Sequence, residues 1–262
     1  MSAAKRVFVV GGSGFLGQAI CRSAIARGWQ VVSLSRHGAP TIDASMRGSI
    51  GQHFLQTIEW VKGDALKPDT YRAHLNGCSA VVHSVGALME NDYKRYVRLG
   101  SSSNTPAERT TYEETNRDTA LEVVRTARET ESVGAFAYIS ATDFTPFLDH
   151  RYISTKREVE AELMAHMKEM RPVILRPGFM YSGTRPVTLP LAAGFEIFRN
   201  LFKKTPVGCV LKDTPLAKAA HVALRREIVA NAVINSLEDP NVSGVLSIDD
   251  IVRVSTGKQL EH

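Results

Sequence analysis

The chain has 262 residues, 44% of them hydrophobic, and a formal net charge of +5. This length and composition allow a full buried core, which excludes a mainly disordered protein. Lysine and arginine are interleaved with aspartate and glutamate, so the sequence lacks the clustered basic patch that nucleic-acid binding requires. The cysteines Cys21, Cys78 and Cys209 are widely separated and have no Cys-x-x-Cys spacing. We therefore expect no nucleic-acid partner, no disulfide scaffold and no metal site.

We expect neither a transmembrane segment nor a signal peptide in this sequence. No run approaches the roughly 18 to 20 apolar residues that a transmembrane helix needs. A strand pattern begins almost at the N-terminus, which leaves no room for a signal peptide. The terminal Leu260-Glu261-His262 is expected to be tag-derived, and a leader trimmed before expression would leave no trace.

A glycine-rich turn follows the first apolar strand, 6–10. Glycine lets the backbone turn sharply into a helix, 15–27, whose exposed N–H groups can hold a pyrophosphate. Gly28 ends this helix, and a second strand follows at 30–35. The sequence therefore predicts a βαβ unit that binds a dinucleotide. The predicted contacts are Gly11, Gly12, Ser13, Gly14, Phe15, Leu16 and Gly17.

Further strand candidates alternate with helical stretches along the chain. They lie at 58–62, 80–84, 135–140 and 172–176. Amphipathic helices are predicted at 112–130 and around Tyr152, the second stopping at Arg171-Pro172. This alternation predicts an α/β fold: a Rossmann-like, doubly wound parallel sheet.

The rhythm fades after about residue 184, leaving a helix at 224–237 and a strand at 245–248. We therefore predict a Rossmann domain over 1–184 and a small substrate-side subdomain over 185–262. Two segments interrupt the pattern. Residues 87–111 leave the carboxyl end of the fourth strand, where they would either cover the active site or form a plain surface loop. Residues 185–208 combine an apolar face with a basic end, which suits either core packing or a membrane or lipid-substrate surface.

Tyr152 and Lys156 are four positions apart, so on a helix both side chains project from one face. A free tyrosine is a poor proton carrier at neutral pH because its pKa is near 10. A neighbouring ammonium group stabilises the phenolate and lowers that pKa, so the phenol can exchange a proton with a carbonyl or alcohol. We predict that Tyr152 and Lys156 are catalytic.

Three motifs of the chain resemble the short-chain dehydrogenase/reductase superfamily, in its extended or atypical branch. They are Gly11-x-x-Gly14-x-x-Gly17, Tyr152-x-x-x-Lys156 and Arg176-Pro177-Gly178. In this superfamily a serine or threonine after the fifth strand orients the substrate oxygen, which implies that role for Ser140 or Thr142. Ala141 separates the two where the family often has consecutive serines, so the choice between them stays open.

The end of the second strand normally reads the cofactor ribose, and an acidic residue there selects NAD. This chain has Ser35, Arg36 and His37 instead. A guanidinium group can bind a 2′-phosphate through its fork of donors, so we predict NADP(H) as the cofactor.

The resemblance implies further cofactor contacts at three strand ends. Gly63, Asp64 and Ala65 would face the adenine, Ser84, Val85 and Gly86 would border the ribose, and Pro177, Gly178 and Phe179 would lie against the nicotinamide. Tyr152 and Lys156 would also contact the cofactor. Asn116 matches a helix asparagine common in the superfamily, although packing alone explains it equally well, and His83 is expected to be structural.

Within the superfamily, the chain looks like a mitochondrial group that includes the NADPH-binding 39 kDa accessory subunit of complex I and a fungal coenzyme Q biosynthesis protein. The likeness rests on the stretch Val7 to Gly17, on Ile139-Ser140-Ala141 and on Tyr152-x-x-x-Lys156. It implies a protein on the matrix side of the inner mitochondrial membrane, acting on a quinone-like or aromatic substrate in ubiquinone biosynthesis. Whether the helices that contain Tyr112 and Tyr152 form a homodimer interface stays open.

Three hypotheses follow from these patterns. The first is an NADPH-dependent oxidoreductase that transfers hydride with the help of Tyr152 and Lys156. The second is a non-catalytic, NADPH-bound assembly or stabilising factor of a mitochondrial membrane complex. The third is a nucleotide-sugar epimerase or reductase, which Arg36 disfavours because that class uses NAD.

Overall fold

The computed structural model describes residues 5–40, 49–86, 113–143, 150–182 and 223–258. The strands in these ranges are Arg6–Val10 (β1), Gln30–Ser35 (β2), Ile58–Lys62 (β3), Ala80–His83 (β4), Ala135–Ile139 (β5), Arg171–Leu175 (β6), Met180–Tyr181 (β7), Leu224–Arg225 (β8) and Gly244–Leu246 (β9). The α-helices are Phe15–Ile25 (α1), Ser49–Thr57 (α2), Thr119–Arg128 (α3), His150–Ala165 (α4), Arg226–Glu238 (α5) and Ile248–Ser255 (α6). The predicted segments 87–111 and 185–208 lie outside the described residues.

Seven strands form one parallel sheet in the order β3-β2-β1-β4-β5-β6-β9, which confirms the predicted doubly wound Rossmann-like fold. The direction of winding reverses between β1 and β4. The helices that come next among the described residues, α1 after β1 and α3 after β4, pack on opposite faces of the sheet. This arrangement opens a crevice where ligands bind in such folds. A separate parallel pair joins β7 to β8.

Both faces of the sheet are covered by helices because its strands are apolar on both sides. Alternate side chains of one strand, such as Val7 and Phe8, enter different cores. The first core packs the sheet against α1, α5 and α6, and the second packs it against α3 and α4. Among the described residues, no helix is long and apolar enough to cross a membrane.

The predicted strands are confirmed, with small errors at their ends. Strands β4, β5 and β6 each end one residue earlier than predicted, which leaves Ser84, Ser140 and Arg176 in the loops that follow. The predicted helix at 112–130 consists of a π-helical turn, Glu113–Asp118, followed by α3. A hydrophobic stripe does not distinguish these two helical forms, because both place apolar residues on one face.

The C-terminal residues 223–258 complete the main sheet. Strand β9 pairs with β6, and α5 packs against α1, where Ser23 Oγ donates to Asn231 Oδ1 at 2.8 Å. The predicted strand at 245–248 ends at Leu246, because Ser247 and Asp250 form a capping box that starts α6. The division predicted at residue 184 therefore does not separate residues 223–258 from the Rossmann-like unit.

Candidate active site

The glycine-rich turn lies at the carboxyl end of β1. Gly11 has a φ of +84°, a conformation that L side chains rarely adopt, and its N–H donates to Leu34 O at 2.8 Å. A Cβ atom built on Gly11 would lie 2.9 Å from Val85 Cγ2. The turn thus depends on glycine at this position, and it brings the ends of β1, β2 and β4 together.

Two further glycines of the motif allow α1 to pack closely on the sheet. A Cβ atom on Gly12 would lie 2.2 Å from Ser33 Oγ, and one on Gly17 would lie 2.1 Å from Gly11 O. Real Cβ atoms do not come so close to other atoms. The close approach of α1 to the first two strands therefore accounts for both residues without any ligand.

The first turn of α1 has the features of an anion site. Gly14 is exposed at the N-cap, where it supplies no side-chain cap, and the first turn contains no acidic residue. Helix N-terminal N–H groups without a side-chain cap carry partial positive charge and bind phosphate well. Ser13 is half-buried beside them, and its carbonyl accepts a hydrogen bond from Gln18 at 2.9 Å. These features fit a dinucleotide pyrophosphate.

The other two residues of the motif differ in their surroundings. Leu16 is buried in the first core. Phe15 is half-buried, and the guanidinium of Arg226 lies 5.0 Å from the centre of its ring. Arg226 Nη1 also donates to Phe15 O at 3.1 Å. Arg226, which sequence reasoning missed, therefore joins the start of α5 to the start of α1.

The end of β2 exposes positive charge. Arg36 and His37 are exposed, whereas Ser35 is half-buried and donates from its hydroxyl to Gly38 O at 2.5 Å. Lys62 lies beside this turn. A Cβ atom built on Gly38 would be 3.6 Å from Lys62 Cβ. This arrangement suits an anionic ligand group at the edge of the crevice.

The residues after β3 form a compact turn next to β2. Gly63 donates from its N–H to Ser35 O at 3.1 Å, and Asp64 accepts from the N–H of Leu66 at 3.1 Å. The carbonyl of Ala65 accepts from the Tyr71 hydroxyl at 3.2 Å. These contacts place the turn at the carboxyl edge of the sheet, where an adenine was predicted.

Tyr152, Lys156 and Asn116 converge on Gly86, which follows β4. A Cβ atom built on Gly86 would lie 3.5 Å from Asn116 Oδ1, 3.5 Å from Lys156 Nζ and 3.9 Å from the Tyr152 hydroxyl. Asn116 is buried and lies on the π-helical turn, a helical form often found at functional sites. The structure thus brings together the two predicted catalytic residues and the asparagine that packing alone could have explained.

The ammonium group of Lys156 is held by main-chain carbonyls and aromatic rings. Its Nζ donates to Ile139 O at 3.0 Å and to Val85 O at 3.4 Å. It also lies 4.8 Å from the centre of the Tyr138 ring and 5.9 Å from that of Tyr152. The side chain is 1% exposed.

Burial changes the pKa of Lys156. It lowers the pKa from the ordinary value of 10.5 to about 7, while the nearby Glu160 carboxylate acts in the opposite direction. Charged and neutral forms of Lys156 are therefore both populated near neutral pH. His83 lies in the same buried region, where burial and the charge of Lys156 lower its pKa to about 3. His83 is thus neutral at physiological pH.

Ser140 and Thr142 occupy different environments. The Ser140 side chain is buried, donating to Glu160 Oε1 and accepting from Arg157 Nη1 at 3.0 Å. Thr142 is half-buried, and its N–H donates to Pro177 O at 3.0 Å. Of the two candidate hydroxyl groups, Ser140 is therefore engaged in a charged cluster.

The remaining predicted residues lie around the same crevice. Ser84 donates from its hydroxyl to Val10 O at 2.8 Å, which ties the ends of β1 and β4 together. Gly178 is half-buried after β6, and the carbonyl of Phe179 accepts from the N–H of Leu224 at 2.8 Å. Sequence reasoning missed Arg157 and Glu160, although Glu160 is four residues after Lys156 and thus on the same helix face.

A surface cleft lies elsewhere on the molecule. Arg72, Asn76, Glu129 and Ser132 are among the residues that line it. They precede β4 and β5, so the cleft is at the amino ends of the strands, away from the crevice. We place the site at the carboxyl ends of the strands, because Lys156, whose pKa is lowered, and the glycine-rich turn lie together there.

Gly86→Ala should fill the site without disturbing the fold, because its methyl group would be in ordinary van der Waals contact with Lys156 and Tyr152. We expect the affinity for NAD(P)H to fall about tenfold, a loss of ~1.4 kcal/mol, with thermal unfolding unchanged. Fluorescence titration with NADPH measures the affinity. Gly134→Ala is the matched control, since a Cβ atom there would lie 4.0 Å from Ser79 O at the other end of the sheet. Equal affinities in the two variants would contradict this geometry.

Lys156→Met should change how stability depends on pH. Between pH 7 and 10.5 the unfolded state binds the lysine proton and the folded state does not, so the parental protein gains stability as pH rises. The variant lacks this gain. Its free energy of unfolding relative to the parent should fall by about 1.4 kcal/mol per pH unit between pH 7.5 and 9.5. Urea unfolding measures this difference, with the exposed Lys168→Met as control. A difference independent of pH would refute the lowered pKa.

Comparisons with known proteins agree with this fold and with NAD(P)H binding. A family model described as NAD(P)H-binding matches residues 11–240. MIOREX complex component 2 of Saccharomyces cerevisiae is 30% identical over 277 residues, which cover 95% of this chain and 99% of the yeast protein. An uncharacterized chloroplastic protein of Arabidopsis thaliana is 30% identical over 259 residues, or 94% of this chain and 76% of its own.

Among solved structures, vestitone reductase from alfalfa superposes with a TM-score of 0.60. The match covers 92% of this chain and 76% of the alfalfa enzyme, at 18% identity, and so shows a shared fold alone. The family match spans most of the chain and includes the glycine-rich turn, Tyr152 and Lys156. The chain therefore belongs to the NAD(P)H-binding family whose model it matches, and its Gly-x-x-Gly-x-x-Gly and Tyr-x-x-x-Lys motifs resemble those of the short-chain dehydrogenases/reductases.

Proposed function

We propose that this protein is an NADPH-dependent oxidoreductase that transfers hydride to or from a small-molecule substrate. The observation that carries the proposal is the convergence of Tyr152, Lys156 and Asn116 at Gly86, beside a helix N-terminus suited to a pyrophosphate. An acid–base group, a buried lysine and an anion site at one crevice are what carbonyl reduction by a dinucleotide requires.

Each side chain has a distinct task in the proposed reaction. Bound NADPH would supply the hydride. The hydroxyl of Tyr152 donates a proton to the substrate oxygen, or accepts one in the reverse direction. The charged form of Lys156 stabilises the resulting phenolate, and its buried position strengthens that interaction because little water screens it. We assign the orientation of the substrate oxygen to Thr142, since the Ser140 hydroxyl is engaged by Glu160 and Arg157.

The preference for NADPH rests on the end of β2. Arg36 and His37 are exposed there, and Lys62 lies beside the same turn. A 2′-phosphate would gain charge-assisted hydrogen bonds from Arg36, whereas an unphosphorylated ribose would gain much less.

The substrate class and location rest on the resemblance to the mitochondrial group. We assign the protein to ubiquinone biosynthesis on the matrix side of the inner mitochondrial membrane, with a quinone-like or aromatic substrate. The composition of residues 185–208, which combines leucine, isoleucine and phenylalanine with arginine and lysine, suits a lipid-like substrate or a membrane surface.

A second candidate function is a non-catalytic, NADPH-bound component of a protein complex. The yeast relative, which matches this chain over 99% of its own length, is named as a complex component. Ala141 and the engaged Ser140 also depart from the hydroxyl pattern usual in the superfamily. In this role, bound NADPH would stabilise the folded protein.

Tyr152→Phe distinguishes the two candidates. Without the hydroxyl, NADPH oxidation with a panel of short-tailed quinones and their aromatic precursors should fall at least 100-fold, the range typical of a lost general acid. Loss of reduced-nicotinamide absorbance measures turnover, and NADPH titration of the same variant confirms that the site remains intact. Parental turnover in the variant would exclude Tyr152 as proton donor. NADPH that binds tightly but is never consumed by the parental protein would favour the complex component.

Arg36→Gln should weaken NADPH far more than NADH. The loss of a charge-assisted contact to the 2′-phosphate should raise the Kd for NADPH tenfold or more, about 1.4 kcal/mol or more. The Kd for NADH should change less than twofold, because NADH lacks this phosphate. Parallel titrations measure both, with the exposed Arg125→Gln as the matched control. Equal losses for the two cofactors would refute this role of Arg36.

A further inference from the structure

A buried carboxylate lies one helical turn beyond Lys156. The side chain of Glu160 is 5% exposed, and two arginines surround it. Arg157 Nη1 donates to Glu160 Oε1, and Arg176 donates from Nε to Oε1 at 3.1 Å and from Nη2 to Oε2 at 2.5 Å. We call Ser140, Asp143, Arg157, Glu160 and Arg176 the Glu160 clamp.

The clamp joins three elements that carry the site. Arg157 and Glu160 lie on α4, the helix of Tyr152 and Lys156. Arg157 Nη2 reaches the loop after β5, donating to Ala141 O at 2.8 Å and to Asp143 Oδ1 at 2.6 Å. Arg176 begins the loop after β6.

The loop after β5 is also joined directly to β6 and to the loop that follows β6. The N–H of Ser140 donates to O of Leu175, the last residue of β6, at 2.8 Å, and the N–H of Thr142 donates to Pro177 O in the following loop at 3.0 Å. Since Arg157 binds the first loop and Arg176 the second, Glu160 fixes both loops relative to the catalytic helix.

We propose that Glu160, Arg157 and Arg176 are positioning residues that set the distance from Thr142 and from the predicted nicotinamide loop to Tyr152 and Lys156. Ser140 contributes to this positioning through its hydrogen bond to Glu160 and does not contact the substrate. The inference rests on the proposed function, since it assigns these distances to a hydride-transfer site. Small displacements matter there, because a misplacement of about 1 Å can cost about 100-fold in rate.

Glu160 has a second effect, on the charge of Lys156. The groups that face Lys156 are Tyr152 and Glu160 on α4, Tyr138 on β5 and His83 on β4, and among them the Glu160 carboxylate favours the protonated lysine. Glu160→Gln removes this support, so Lys156 would lose its proton at lower pH. Because the proposed reaction uses charged Lys156, the loss of activity on the alkaline side should also move to lower pH.

Two variants test the clamp, Glu160→Gln and Arg157→Lys. Glu160→Gln removes the buried negative charge. Arg157→Lys keeps the positive charge but loses the guanidinium group, which donates to Ser140, Ala141 and Asp143 at once. Glu158→Gln is the matched control, since Glu158 is exposed on the same helix and pairs with Arg117. Arg157→Lys carries the test if Glu160→Gln does not fold.

Two readouts are used, and one does not depend on activity. Amide hydrogen exchange of Ser140 and Thr142 should be at least tenfold faster in both clamp variants, with exchange in β1 unchanged. The kcat should fall about tenfold or more in both, with the KM for NADPH within twofold of the parent. The alkaline limb of kcat should move to lower pH in Glu160→Gln and not in Arg157→Lys.

The outcomes separate this inference from the proposed function. Exchange and kcat equal to those of Glu158→Gln would overturn the clamp as a positioning device. Faster exchange with an unchanged kcat would also overturn it, because the loops would then move without consequence for the reaction. If the parental protein consumes no NADPH with any substrate, the proposed function fails, and the exchange rates alone decide whether the clamp holds the loops.

Discussion

The burial of Lys156 is the constraint on which the geometry of the site depends. A lysine that is 1% exposed needs hydrogen-bond acceptors for its ammonium group, and here they are the main-chain carbonyls of Val85 and Ile139. Val85 lies just after β4, and Ile139 is the last residue of the neighbouring strand β5. The lysine thereby fixes α4 against the carboxyl edge of the sheet and holds Tyr152 near Gly86. Polar contacts that satisfy one buried charge thus also assemble the predicted acid–base pair.

The glycine-rich turn shows that one motif meets two physical demands. Gly12 and Gly17 are needed because α1 approaches the sheet closely, which any tightly packed βαβ unit would require. Gly14 is different, since it leaves the first turn of α1 without a side-chain cap and exposed to an anion. The motif therefore supports a dinucleotide site through its open helix end, and the fold through its two packed glycines.

Two features of the site change the pKa of Lys156 in opposite directions. Burial lowers the pKa of Lys156 toward neutrality, while the carboxylate of Glu160 raises it. The same carboxylate is shared with Arg157 and Arg176, so its position is set by the loops that it holds. A buried carboxylate with two guanidinium partners is costly to desolvate, and the loss of one partner is strongly destabilising because it leaves a buried charge uncompensated.

The sequence by itself determined the parallel sheet and the pairing of Tyr152 with Lys156, because these follow from local periodicity and from spacing within one helix. The family was indicated by the resemblance of its motifs to those of known proteins. The sequence also indicated Arg36 at a strand end. Only the tertiary structure decided between Ser140 and Thr142 as the engaged hydroxyl, since Ser140 meets Glu160 across twenty residues of chain. It likewise decided that residues 223–258 belong to the main sheet. Their strand β9 has only three residues, which is too short a pattern to predict its pairing with β6. Such choices depend on contacts between elements distant in sequence, which no local pattern encodes.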